Sequence, residues 1–192
     1  MHRRVPPVSG GTLLIGSLLS ASVVLAQTRT VDPQTGIVTW QTRGDGVTLS
    51  LTQILPDQAR AFYVNRGFPT EATEEYAKAC VYMTVLRNDS APGVVHFKLA
   101  DWSVEHDGGS RPPLSVASWL KRLERFGLPQ SALIAFRWAQ FPPEQEYQPG
   151  GDWNQGMLTT GLEAAARFDL IARWEAAGKV YEGVLRDVQC AP

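Results

Sequence analysis

Apolar and polar positions alternate with a period of two through much of this chain. Val47, Leu49 and Leu51 alternate with Thr48, Ser50 and Thr52, which predicts a half-buried strand with a polar outer face. Phe168, Leu170, Ala172 and Trp174 repeat the pattern. A turn at residues 175–178 then leads into a last strand ending at Cys190, so a closing hairpin is predicted. Residues 36–41 read as a first strand, and Gly44, Asp45 and Gly46 as a turn. Residues 81–88 differ, because Val81, Met83 and Val85 are apolar at one parity and Tyr82 and Leu86 at the other. A strand apolar on both sides is covered on both sides, so this one is read as central.

Two stretches change parity or period. Val95, Phe97 and Leu99 share one parity, Trp102 and Val104 the other. A β-bulge at Ala100–Asp101 is predicted to bring all five side chains onto the core face. Residues 132–141 read as a strand with Ile134, Phe136 and Trp138 in register, and residues 157–162 as a short strand.

Helical spacing is rarer. Val116, Trp119, Leu120, Leu123 and Phe126 form one stripe, with Lys121, Arg122, Glu124 and Arg125 facing away and Gly127 ending the run. Pro56 and Asp57 suit the start of a second helix that Gly67 ends. Thr70 is a candidate cap for a third, with Ala72, Tyr76 and Ala79 on its inner face. These elements predict an α+β fold: an antiparallel, sandwich-like sheet core with two or three short helices on one face or end.

The N-terminus changes the picture of where this domain works. Arg3 and Arg4 precede a mostly apolar run from Thr12 to Ala26, which closes on Val24, Leu25 and Ala26 with small residues at −3 and −1. Residues 1–26 read as a secretory signal peptide with cleavage before Gln27. The run is shorter than the ~20 residues that span a bilayer and contains Ser17, Ser20 and Ser22, so no membrane span is expected after cleavage. A periplasmic or extracellular location follows. Cleavage removes two Arg and no acid, taking the formal net charge from −1 to −3. No basic excess points to nucleic acid. Residues 27–192 are of a size for one domain.

Export makes the cysteine count informative. Cys80 and Cys190 are the only two, and in an oxidising compartment they are expected to pair. The alternative is two buried thiols packing as small hydrophobes. The bridge would close a loop of about 110 residues and contribute roughly 4–5 kcal/mol in the chain-entropy model.

Candidate chemistry is sparse. His96 and His106 remain after cleavage, and with Met83 or Met157 they are the residue types of a copper carrier. About ten residues of straight strand, roughly 33 Å, would separate the two imidazoles. Solvent-facing or hydrogen-bonded His is the competing reading. No Gly-x-Ser-x-Gly elbow, Cys-x-x-Cys pair or phosphate-cradling glycine loop is present, so no cofactor is expected. Glu144, Glu146 and Asp152 supply acids for a hydrolase, but all three fall in one polar stretch. Ala61, Phe62 and Tyr63, with Arg60 and Arg66, form a possible docking face.

The stretch 141–156 reads as the longest irregular segment. It carries Tyr147 and Trp153 beside Asp152, Asn154 and Gln155: aromatic contact area next to hydrogen-bonding groups, which a protein, peptide or glycan requires. The alternative is that Trp153 folds inward and pins an Ω-loop. The leading reading is an exported, non-enzymatic binding or accessory protein using this loop. A metal carrier and a small secreted hydrolase are the alternatives.

Overall fold

The structure, a computed structural model, describes residues 27–192. The signal-peptide reading of residues 1–26 lies outside the described residues. In chain order the first elements are β1 (Thr28–Val31), β2 (Val38–Gly44), β3 (Val47–Ile54), α1 (Pro56–Val64), α2 (Thr70–Ala77), β4 (Val81–Asn88), β5 (Val95–Lys98), β6 (Ser103–His106) and β7 (Gly109–Arg111). They are followed by α3 (Val116–Leu123), α4 (Gln130–Ala139), β8 (Glu144–Tyr147), β9 (Asp152–Thr159), β10 (Arg167–Ala176) and β11 (Lys179–Gln189).

The strands build two antiparallel sheets. The first runs β1-β2-β3-β4-β9, with β4 inside it as its two-sided apolar pattern predicts. The second centres on β10. Along one edge β10 pairs with β11; along the other it pairs with β6 and β5 in tandem, with β7 and β8 outside these. The two sheets face each other across a core that includes Trp40, Leu51, Tyr82, Phe97, Leu170 and Leu185. The fold is an α+β sandwich.

Tandem pairing requires a break between β5 and β6. The parity switch there is taken up by one 3-10 turn, Leu99–Asp101, rather than by the expected bulge. The consequence for packing is the same, since Val95, Phe97, Leu99, Trp102 and Val104 are all buried. The Trp102 indole N–H donates to the Arg173 carbonyl oxygen at 3.0 Å, tying the turn to β10.

A helical layer covers part of the outer face of the first sheet. Tyr63, Phe68, Tyr76, Trp119 and Phe136 pack there against Val81 and Met157. It has a fourth member that corrects the sequence reading: residues 130–139 form α4, not a strand. Ala132 and Phe136, four apart, are its buried positions. Three Ala and a Leu favour helix here, and a short apolar window fits both periods. Thr70 is the first helical residue of α2 rather than its cap; extended Pro69 precedes it.

Cys80 and Cys190 are disulfide-bonded, with their Cα atoms 5.2 Å apart and 110 residues between them. Cys80 sits just before β4 and Cys190 just after β11, so the bridge links the two sheets where α2 reaches them.

Candidate functional site

The stretch 141–156 is not one irregular loop. It crosses from the second sheet to the first through two strands, β8 and the start of β9, with only residues 148–151 between them. Gly150 and Gly151 both take positive φ (102° and 101°), which closes a turn that side-chain-bearing residues disfavour. The Gln148 amide donates to Asp152 Oδ2 at 2.9 Å, so the Asp152 carboxylate holds the turn.

This crossing sorts the five expected contact residues. Tyr147 is removed from the surface: it is 1% exposed, and its ring stacks on Phe97 at 5.8 Å. Burial pushes its hydroxyl above the usual tyrosine range, with Asp152 adding to the shift. A β-strand sends successive side chains to opposite faces, and Tyr147 lands on the core face of β8. Asn154 is half-buried and pairs with Leu86, on the face turned toward the second sheet. Trp153 and Gln155 share the opposite face, and both are exposed. Trp153 does not fold inward; it is 51% exposed on a regular strand.

Trp153 lies opposite Arg87 and Gln155 opposite Val85. Arg87 is held by Asp89 at 2.5 Å. Asp89 also accepts from the Thr48 hydroxyl at 2.5 Å. Desolvation works against the Asp89 charge, but these hydrogen bonds outweigh it and hold the carboxyl below its usual range. The ground around Trp153 is therefore a fixed, hydrogen-bonded sheet surface.

A second exposed tryptophan, missed in the sequence reading, stands on the helix whose C-terminal end docks on β9. Trp138, expected in register with Ile134 and Phe136 on a strand, is 85% exposed near the C-terminal end of α4. Gln140, two residues on, forms a parallel bridge with Met157, two residues beyond Gln155. The Phe141 amide donates to the Met157 carbonyl at 2.9 Å. The Gln140 side chain donates to the Tyr63 hydroxyl at 2.8 Å and accepts from the Tyr76 hydroxyl at 2.9 Å, anchoring this end of α4 in the helical layer. Gly156 makes the approach possible, because a Cβ there would meet the Gln140–Phe141 backbone at 2.4–2.5 Å. The wheel of α4 carried the missing signal: Trp138 and Ile134 stand four apart, away from the buried Ala132–Phe136 pair.

Most of the other candidates are engaged internally, whereas Glu146 stands exposed on β8. His96 Nε2 lies 2.8 Å from Glu144 Oε1, and Lys98 approaches the same oxygen at 3.5 Å. The hydrogen bond from His96 is the first cause holding the Glu144 carboxyl below its usual range. His106 Nδ1 contacts the Arg167 carbonyl at 2.7 Å. His96 is opposite Glu175, while His106 lies beyond the Asp169–Glu105 pair. Roughly seven residues of β10, on the order of 20 Å, separate them, so one ion cannot bind both. Met157 is buried and accepts from the Tyr63 hydroxyl at 3.4 Å. Among the described residues, no group of three or more His, Cys, Asp or Glu converges on one point. On α1, Arg60 pairs with Asp57 at 2.6 Å and Glu74 at 2.5 Å, Arg66 lies over the Phe62 ring at 3.4 Å, and Tyr63 is buried. That face is occupied by contacts within the chain.

No protein-family profile matches the chain, and neither a characterised protein nor a solved structure matches it.

Proposed function

We propose that the chain is an exported, non-enzymatic binding or accessory module that holds its ligand or partner against Trp153, Gln155 and Trp138. The observation that carries this reading is Trp153, half-exposed on a regular strand beside exposed Gln155, with exposed Trp138 on the helix whose end docks on that strand. An aromatic face beside hydrogen-bonding groups recognises both apolar and polar ligand surfaces. Export is supported by the N-terminal pattern of residues 1–26 and is in keeping with the disulfide.

The carrier and hydrolase alternatives have less support. His96 and Glu144 are bonded to each other, and Asp152 is committed to its turn.

The test is intrinsic fluorescence of the natively purified protein titrated with panels of soluble peptides and oligosaccharides. A shift on binding is expected, and it should disappear in Trp153→Ala and Trp138→Ala. Binding that persists unchanged in both variants would place the site elsewhere.

A further inference from the structure

The margin of the first sheet at β9 has a property beyond its two tryptophans. β9 is the terminal strand of that sheet, paired with β4 along one edge only. Its other edge is already used twice by the chain itself. The Phe141 amide donates to the Met157 carbonyl at 2.9 Å, and the Leu114 amide to the Thr159 carbonyl at 2.9 Å. Both acceptors are odd-numbered residues, so the odd-numbered backbone groups of this regular strand point away from β4. Trp153 and Gln155 share that parity. Among the described residues, no backbone hydrogen bond reaches either of them from this side. The first half of β9 therefore leaves main-chain donors and acceptors without a backbone partner, in the same line where Gln140–Phe141 and Leu114 dock further along.

Exposed strand edges are usually blunted by a Lys, a Pro or a bulge, because they invite pairing. Residues 152–156 carry no Lys or Pro, and the β4–β9 register runs without a shift. An exposed tryptophan stands on the strand itself, and a second stands at the end of the helix beside it.

We propose that the open half of β9 binds an extended peptide segment of a partner protein by strand addition. The segment pairs with the Trp153 and Gln155 backbones and places an apolar side chain against Trp153 and Trp138. The inference rests on the binding face proposed above and adds the partner's chemistry: an unstructured chain with a β-branched or aliphatic residue at every second position, recognised mainly through its main chain. Backbone recognition accounts for the sparse charge on the face, where Arg87 is already bonded to Asp89.

The experiment selects displayed random octapeptides on the natively purified protein and measures the best of them as synthetic peptides. Affinity should fall at least tenfold in Trp153→Ala and in Trp138→Ala, both at exposed positions. N-methylation of one alternate set of peptide amides should abolish binding, while the other set is tolerated. Amide exchange at Trp153 and Gln155 should slow when peptide is bound. Peptides indifferent to both substitutions, or tolerant of N-methylation at every position, would overturn strand addition. So would concentration-dependent self-association that slows the same amides without peptide, since the occupant would then be a second copy. An oligosaccharide that binds through both tryptophans and leaves those amides fast would also overturn it, while keeping the binding face. No ligand in either panel sensitive to the two substitutions would sink the face as well.

Discussion

The outer face of the first sheet is covered at one end and bare at the other. At the covered end, Ile54, Val81 and Thr159 lie side by side across three strands, and Met83 pairs with Met157 one step along. Helices close over this end. The Trp119 indole donates to Thr159 Oγ1 at 2.7 Å, and Tyr63, Tyr76 and Gln140 bond to one another beneath the helices. At the bare end the rows read Gln41, Ser50, Val85, Gln155 and Arg43, Thr48, Arg87, Trp153. Among the described residues, none in these two rows belongs to the buried cluster under the helices, and Trp153 stands among mostly polar neighbours. Polar side chains suffice to solvate such a face, and Trp153 is the large aromatic side chain that stands half in water on it.

This contrast can be broken in order of effect. Removing the bridge with a Cys80→Ser, Cys190→Ser double substitution should weaken both ends alike, by about 4–5 kcal/mol, read by chemical denaturation. Phe136→Ala should empty the layer over the covered end and cost about 3–5 kcal/mol. Trp153→Ala, at the bare end, should change stability by no more than about 0.5 kcal/mol while removing ligand binding. A large loss there would mean that Trp153 belongs to the core.

Titration sharpens the same comparison. Burial raises the Tyr63 and Tyr76 hydroxyls above the ordinary value of 10.0, Tyr76 well above it. Their neutral forms are favoured in the folded chain, so the stability they support is complete below about pH 10. It should fall as pH rises above that value, because the unfolded chain releases these protons first. Tyr63→Phe should make the decline shallower. At the acid side, the hydrogen bond from Arg60 is the first cause holding Glu74 below its usual range. This surface pair should weaken as pH falls through the carboxylate range, with a salt-sensitive effect smaller than any above.

Much of the fold was legible in the residues. The β10–β11 hairpin and the two-sided β4 formed where their period placed them, and so did the α3 stripe up to Leu123, after which its last turn tightens to a 3-10 helix at Glu124–Phe126. The disulfide followed from the cysteine count and the expectation of export. Short or mixed stretches were less readable. α4 offers ten residues whose apolar positions fit either period; its Ala-rich composition and the seat under Phe136 among Tyr63, Phe68 and Tyr76 decide for helix. Residues 141–156 looked irregular because β8 and β9 join different sheets, and that pairing is set by distant strands. The candidate site shared this fate. Trp153 and Gln155 were legible as exposed polar–aromatic neighbours, Tyr147 turned inward with β8, and Trp138 was hidden by the strand reading of its helix.

The most direct test of this account needs no ligand. Amide hydrogen exchange along β9 of the native protein should alternate: Asn154, Gly156 and Leu158, which face β4, exchange slowly, while Trp153 and Gln155 exchange fast. Equal, strong protection of all five would show that the edge beside Trp153 is already covered, and the bare half would not be a docking surface.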